Sequence, residues 1–562
     1  MRSPHAKTLC SACTINQQRG TSLNRESTPA EGSVSAESST PVEGSSSAES
    51  STSAERESST GGLTPPEGAS SAMWLPLAMG AVSGTILFLA DFPVHFWWLQ
   101  VIALFPWLWA LAKKRPGWVI GALSGAVLGL FYNGALAIVL EFPWLMTIGL
   151  VTYLTFFWAL FGMGAALLFR NPAKTPGGTS GVALGVACAG VMVEWLNVSL
   201  IPVWGTAQVF TRVWSAFPPA VQIVSVTGVL GLVWLMVALP ALGAYIPIEC
   251  SARSGVSGGS RVSGDSGSSG GRGIRVSLVV ITVGVVLGNY MLWPRKIVGE
   301  LKVAAVGWTH KDLPLGVKTH WRWTWKEICQ PSIAEASEKG ARLVVTPEVG
   351  LWVPKEDVEE FRKTVMTEAR KRGVFLAVGW FDEGSDKNRM IFVDAEGRVL
   401  GGYAKSHLIM GLEDYKPGEG VPVVVKLGRY RVGGMICQDD NFTDLSRGYG
   451  RRRTHLTAVP TNDWAQVADY HFENSIFRGV ESRYAIVRAA TNGHSAIVSA
   501  RGEVLARVDH FTHGPSVVVA RTPLYSPGSF YSRAGNWIVI PCALWLFIIG
   551  FFRFRSYRYS LS

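Results

Sequence analysis

Aromatic and aliphatic side chains are almost missing from the first 72 residues. Ser, Glu, Thr, Ala and Pro dominate there, and AEGSVSAESSTPVEGSSSAESSTSAE is nearly repetitive. Such a segment buries too little apolar surface to offset its chain entropy. A packed core is therefore excluded for residues 1–72, and a disordered tail is expected. The tail also lacks the apolar core of a secretory signal peptide. Met73, directly before the first apolar run, is an alternative start. Cysteine is sparse: Cys10, Cys13, Cys188, Cys250, Cys329, Cys437 and Cys542 form no regular framework of pairs, which excludes a disulfide scaffold. Cys10 and Cys13 make a CxxC, but it has no partner pair and lies in the polar tail, a weak signal for zinc or redox chemistry. No metal site is apparent elsewhere, and no cofactor is expected.

Lys and Arg are absent from the connections DFPVHF and EFPW. These join apolar runs at 74–91, 95–112, 118–140, 144–169, 181–200, 222–248 and 276–293, with an eighth at 536–552. A bilayer-spanning helix takes about 20 mostly apolar residues, so about eight transmembrane helices are expected. The other connections are basic: Lys113, Lys114 and Arg115; Arg170 and Lys174; Arg253, Arg261, Arg272 and Arg275; then Arg553, Arg555 and Arg558. Basic residues mark the cytoplasmic side. Both termini are thereby placed in the cytoplasm and the long segment between spans seven and eight on the far side. The formal net charge of +11 is largely topological, and nucleic acid is excluded as its explanation. The connection IPVWGTAQVFTRVWSAFPPA is rich in aromatics. It reads equally as an interfacial anchor or as a segment that re-enters the bilayer or lines a lipid-facing pocket. The Gly/Ser stretch 254–273 reads as a flexible cytoplasmic linker.

Between the last two spans the composition is that of an ordinary soluble domain. Strand-like runs recur (LKVAAVGW, ARLVVTPE, VFLAVGW, MIFVDAEG, VPVVVKL, VGGMICQ, THLTAVP, AIVRAA, SAIVSA, PSVVVA), with helices expected at 320–339, 355–372 and 468–483. The alternation predicts an α/β layered fold. Three polar residues sit at the ends of such runs: Glu348 after ARLVVTP, Lys405 after VLGGYA and Cys437 after VGGMI. Acid, amine and thiol are the parts of a cysteine acyl-transfer site. The carboxylate takes the thiol proton, and the lysine lowers the thiol pKa and stabilises an oxyanion. The backbone N–H of Gln438 is a second oxyanion donor. Strand-end charges are common, so this spacing alone leaves a salt-bridge reading of Glu348 and a bland core reading of Cys437 open.

The segments TPEVGLW, YAKSHL, ICQDDNF and PTNDW resemble the carbon–nitrogen hydrolase (nitrilase) superfamily. The multi-span segment before the domain, the single span after it, and PVWGTAQ and GVLGLVWL within the spans resemble one membrane branch, the bacterial apolipoprotein N-acyltransferases. The resemblance covers about 73–552 and implies an α-β-β-α sandwich at 299–530, a seven-helix membrane domain at 73–298 and a last helix at 536–552. It implies a fatty acyl chain moved from a membrane phospholipid, through a cysteine thioester, to the N-terminal amine of a diacylglyceryl-cysteine apolipoprotein. Glu348 is then the general base, Lys405 the oxyanion stabiliser and Cys437 the acylated nucleophile, with Glu413 a second glutamate, and Asn462, Asp463 and Trp464 a loop near the site. A monomer in the bacterial inner membrane, its sandwich on the periplasmic side, is implied as well. The sequence departs from the family pattern at KSHLIMGLE, without the usual proline and phenylalanine, and at Cys437-Gln438-Asp439, where the family has Cys-Tyr-Glu. These departures bear on substrate choice. A membrane-tethered amide hydrolase and a degenerate lipoprotein-binding paralogue remain alternatives. Glu413 retains a reading as a solvated loop acid, His407 and His494 as loop-orienting residues, and Arg451, Arg452 and Arg453 as a solvated face or a headgroup contact.

Overall fold

The computed structural model describes residues 67–92, 96–200, 203–248, 266–313 and 321–558. The tail to residue 66, with Cys10 and Cys13, and the first part of the Gly/Ser stretch lie outside the described residues. Among the described residues, seven helices are long and apolar enough to cross a membrane: Met73–Asp91, Trp118–Val139, Trp144–Phe169, Gly178–Ser199, Val229–Ile248, Arg272–Leu292 and Val539–Arg558. The expected span at 95–112 is not one of them. It is broken into Trp97–Leu99, Gln100–Ala103 and Phe105–Lys114. Pro106 stands in the first turn of the last piece, where its missing N–H costs nothing and where it favours a fresh helix start. The linker reading also needs correction, because Ser266–Leu292 is one helix that takes in the end of the Gly/Ser stretch.

Glycines let the helices approach closely. A Cβ on Gly125 would lie 2.2 Å from the Trp158 carbonyl oxygen, and one on Gly162 2.2 Å from that of Gly121. Small residues at such crossings replace the missing hydrophobic drive between helices in lipid. At one end of the helices Arg553 donates to the Leu167 carbonyl at 2.7 Å. That end carries the basic residues Arg170 and Lys174. The sandwich meets the opposite end, where Arg483 donates to the Leu292 carbonyl at 2.7 Å and Trp464 to that of Leu140 at 3.0 Å.

The sandwich has two sheets, with strands numbered in chain order. The first runs β13 (Ser516–Tyr525), β1 (Ile297–Gly307), β2 (Leu343–Val345), β4 (Phe375–Asp382), β5 (Lys387–Val393) and β6 (Val399–Ala404), with β3 (Trp352–Val353) also paired to β4. The second runs β12 (Val504–Asp509), β11 (His494–Val498), β10 (Ala485–Thr491), β9 (Leu456–Asn462), β8 (Tyr430–Gly434) and β7 (Val424–Leu427). Strand side chains alternate between faces, and the burial follows this period. Val303, Val345, Phe375 and Phe392 pack with Val432, Ala458 and Val487 between the sheets. Their neighbours Ala304, Val344, Leu376 and Ile391 pack outward with Ile333, Phe361 and Val365 of the helical layer. The helix Ala468–Ser482 on the second sheet is buried at every residue except Asp469, because the membrane segment covers its outer face. Its polar groups find partners there: Glu473 pairs with Arg212 at 2.6 Å, Arg478 donates to Thr206 at 3.1 Å, and Glu481 accepts from the Val229 N–H at 3.0 Å.

Candidate active site

Glu348, Lys405 and Cys437 converge from three separate strand ends. Glu348 lies just beyond β2, Lys405 directly after β6 and Cys437 shortly after β8. All three are buried. Lys405 Nζ donates to Glu348 Oε1 at 2.8 Å and to Glu413 Oε1 at 2.7 Å. Glu413 is thus no solvated loop acid; its Oε2 also accepts the Ile409 N–H at 2.8 Å, which folds the 409–413 loop over the lysine. Glu348 Oε1 accepts Asn388 Nδ2 at 2.6 Å, and the same amide reaches the Tyr415 hydroxyl at 3.1 Å. Glu348 Oε2 is buried without a partner of hydrogen-bond geometry, and the Cys437 thiol is close enough to influence the carboxyl.

Cys437 has φ 48°, a left-handed conformation that L side chains rarely adopt. Such strain persists only where the surroundings over-determine it. Asp439 is the main such constraint. Its Oδ2 accepts the Ile436 N–H at 3.2 Å and the Tyr403 hydroxyl at 2.8 Å. Its Oδ1 accepts the N–H of Ser406 at 3.2 Å and of His407 at 2.9 Å. One carboxylate therefore fixes the cysteine turn and the residues after Lys405. His407 lies 2.9 Å from Asp439 through Nδ1 and stacks on Phe442 at 3.8 Å, in keeping with an orienting residue.

Burial pushes the Cys437 thiol well above its usual value, Glu348 raises it further, and Lys405 opposes them. Burial raises Glu348 too, against the pull of Lys405. Burial would lower Lys405, but Cys437, Glu348 and Glu413 outweigh it and hold the ammonium charged. Burial thus favours the neutral thiol at Cys437, while Lys405 favours the ionised form of Glu348 beside it.

Asn462 and Asp463 are at this site, and so are residues the sequence reading missed. The thiol faces the Asn462 carbonyl at 3.7 Å. Asp463 Oδ1 lies 2.7 Å from His471 Nδ1, and Asp440 Oδ1 lies 3.0 Å from His471 Nε2. Arg488 donates to Asp463 Oδ2 at 2.7 Å. Both ring nitrogens face carboxylates, an arrangement that favours the doubly protonated imidazole, and Arg488 Nη2 lies 3.0 Å from Nδ1 as well. The candidate ligand atoms of Cys437, Asp463 and His471 lie within 4.8 Å of one another, a spacing open to a metal that the sequence did not suggest. A charged residue inside the apolar run AIVRAA was the available signal, since a buried arginine requires buried partners.

Burial and Arg488 pull the His471 pKa down, yet Asp463 and Asp440 push it from 6.5 up to about 9. Its stabilisation is therefore complete below pH 6.5 and is lost as pH rises through about 9. Thermal inactivation in detergent should accelerate across that window, and His471→Gln should flatten this alkaline limb. An unchanged limb in His471→Gln would remove the imidazolium from the account.

The thiol opens into a mostly apolar pocket. Ile409, Trp464 and Val467 line it from the sandwich, and Phe142, Trp204 and Ala207 from the membrane segment. Of the two readings of the aromatic connection, the pocket-lining one describes its start. Gly205, at φ 57°, makes this possible, because a Cβ there would lie 2.4 Å from the Asn441 carbonyl oxygen. Trp464 packs against Phe142 with ring centroids 5.4 Å apart. Gln438 adds a buried Nε2 without a partner; its Oε1 accepts from Asn441 at 2.8 Å.

Comparisons with known proteins cover most of the chain. Residues 302–526 match the carbon-nitrogen hydrolase family, and residues 83–242 match the apolipoprotein N-acyltransferase N-terminal domain. The chain is 24% identical to the apolipoprotein N-acyltransferase of Geobacter metallireducens, over 85% of this chain and 95% of that protein. It is 20% identical to the one of Rickettsia prowazekii, over 84% and 97%. Among solved structures, an amidase from Nesterenkonia sp. AN1 is 25% identical over 40% of this chain and 90% of its own, with a TM-score of 0.36. The chain thus carries a carbon-nitrogen hydrolase domain and an apolipoprotein N-acyltransferase N-terminal domain together, and along most of its length it is similar to apolipoprotein N-acyltransferases.

Proposed function

We propose that this chain moves a fatty acyl chain from a membrane phospholipid to the N-terminal amine of a diacylglyceryl-cysteine apolipoprotein, with Cys437 carrying the acyl group in between. The observation that carries this reading is the wall of the thiol pocket. Phe142, Trp204 and Ala207 bring membrane-segment side chains to the nucleophile, so an acyl chain reaches it without crossing water. Burial of each methylene is worth about 0.8 kcal/mol, so an entry route through water would be heavily penalised.

In the first half-reaction Glu348 takes the thiol proton through its unpaired Oε2 as sulfur attacks the ester carbonyl. The oxyanion is held by Lys405 and the Gln438 N–H, with the Gln438 side-chain amide as a further donor. The bond from carbonyl carbon to glycerol oxygen breaks, Glu348 returns its proton to that oxygen, and a lysophospholipid leaves. In the second, the acceptor amine attacks the thioester, gives its proton to Glu348, and the thiol is restored. Glu413 keeps Lys405 in place. Asp439, Asn462 and Asp463 position the cysteine turn and its floor, and Trp464 shapes the acyl pocket.

The protein is placed in the bacterial inner membrane, with the sandwich on the periplasmic side, both termini in the cytoplasm, and domains at 73–298, 299–530 and 536–552. It acts as a monomer. The test is mass spectrometry of the full chain after incubation with phospholipid. A hydroxylamine-sensitive acyl mass on the Cys437 peptide is expected, discharged by a diacylated lipopeptide faster than by water. Discharge by water at the same rate would make the protein a hydrolase. No adduct on folded protein would favour the lipoprotein-binding alternative.

A further inference from the structure

A second cavity, of about 500 Å³, lies back to back with the thiol pocket. The two share consecutive residues on three segments: Val203 and Trp204, Leu408 and Ile409, Asn441 and Phe442. Its floor is at the helix ends, where Asn536 donates to Ser199 Oγ at 3.0 Å. Ser199 closes the span Gly178–Ser199, and Asn536 stands just before the span Val539–Arg558. The cavity therefore sits at the level where lipid headgroups begin.

Arg447 lines this cavity together with His407 and Thr443. Its Nε is buried without a hydrogen-bond partner. Asp444 stands at the rim, but among the described residues no carboxylate pairs with Arg447. The guanidinium lies over the Tyr531 ring at 5.5 Å. It also rests directly on Gly535: a Cβ there would lie 2.4 Å from Nη2 and 2.6 Å from Cζ, and Gly535 has φ 65°. The backbone thus leaves room for a planar cation, and the nearby Glu481 carboxylate, which feels the Arg447 charge, is already paired with Arg478 at 2.9 Å. A guanidinium fork matches the geometry of phosphate oxygens.

We propose that Arg447 binds the phosphodiester of the donor phospholipid, with the headgroup in this cavity and an acyl ester in the adjacent thiol pocket. The inference rests on the acyl-transfer reading above. A diacylglyceryl acceptor carries no phosphate, so the site serves the first half-reaction alone. It thereby distinguishes donor from acceptor, two lipids whose acyl chains are alike.

The experiment compares full-length wild type, Arg447→Gln and Gly535→Ala in detergent. Thioester formation on Cys437 is followed with phosphatidylglycerol and with p-nitrophenyl palmitate, which has no phosphate. Transfer from the preformed thioester to a diacylated lipopeptide is timed separately. Arg447→Gln should raise KM for phosphatidylglycerol about tenfold or more, the usual scale for losing one charge-assisted contact. It should leave the p-nitrophenyl ester and the second step nearly unchanged, and Gly535→Ala should act in the same direction. Equal losses with both donors would make Arg447 merely structural, and no loss with either would also overturn the proposal. Competitive inhibition by millimolar inorganic phosphate that disappears in Arg447→Gln would reassign the site to a soluble anion. A binding measurement separates this proposal from the one it rests on. Calorimetry should show lysophosphatidylglycerol binding more tightly than 1-palmitoylglycerol, with the preference lost in Arg447→Gln. If wild type forms no thioester from either donor, the acyl-transfer reading fails, and the binding preference still decides the headgroup site.

Discussion

Replacing Cys437 by alanine should abolish the acyl-enzyme while leaving the protein folded. The side chain is small and ends in a pocket, so little packing is lost. Cys437→Ser should also fail, although the oxygen keeps the position. A hydroxyl is a far weaker nucleophile, and the burial that already raises the thiol pKa disfavours an alkoxide more. The adduct should therefore be missing from both variants by mass spectrometry. The backbone adds a second readout. With φ 48° at this residue, alanine keeps the strain and glycine releases it. Cys437→Gly should be more stable than Cys437→Ala by about 1 kcal/mol, read as resistance to thermal inactivation. Acyl-enzyme in Cys437→Ala would assign the nucleophile elsewhere. Equal stability of the two variants would show that the turn is not strained.

Lys405→Met should cost about 10³-fold or more in the rate of thioester formation, the range for losing a principal oxyanion donor together with a tuned base. Lys405 is buried between Glu348 and Glu413. Without its charge both carboxyls are buried and uncompensated, a situation that costs roughly 3–5 kcal/mol when a buried pair is broken. They relieve it by taking up protons. Glu348, already raised by burial and by Glu413, then stands protonated at neutral pH and accepts nothing from the thiol. Residual acylation should accordingly rise with pH, as the higher pKa of Glu348 is approached from below. Single-turnover rates across a pH series test this. A residual rate flat with pH would show that Lys405 does not tune Glu348.

The departures from the family pattern find physical places in the fold. Asp439, where the family has glutamate, is fully buried and joins the cysteine turn to Ser406 and His407. A shorter acid suits a hub that bonds backbone N–H groups close at hand. Gln438, in place of tyrosine, turns an aromatic position beside the nucleophile into one with an amide donor. Both changes alter the surroundings of Cys437 and leave Glu348, Lys405 and Glu413 connected.

The sequence by itself determined what depends on local pattern. Long apolar runs give helices long and apolar enough to cross a bilayer, and alternating strands and helices give layers. Three strand-end residues of complementary chemistry mark a site when a family pattern accompanies them. Contacts between residues distant in the chain were beyond it. Asn388, Tyr415, His471 and Arg488 carry no local signature, and only the convergence of separate strands and one buried helix brings them to Glu348 and Asp463. The break at Leu104 was likewise invisible to a hydropathy count, because apolar composition says how much is buried and not whether the helix is continuous. Tertiary structure alone decided that the membrane segment lends Phe142 and Trp204 to the thiol pocket and that Arg447 lines a cavity without a carboxylate in direct ion-pair contact. Pocket walls and unpaired charges are properties of packed surfaces, and packing joins residues that the chain keeps hundreds of positions apart.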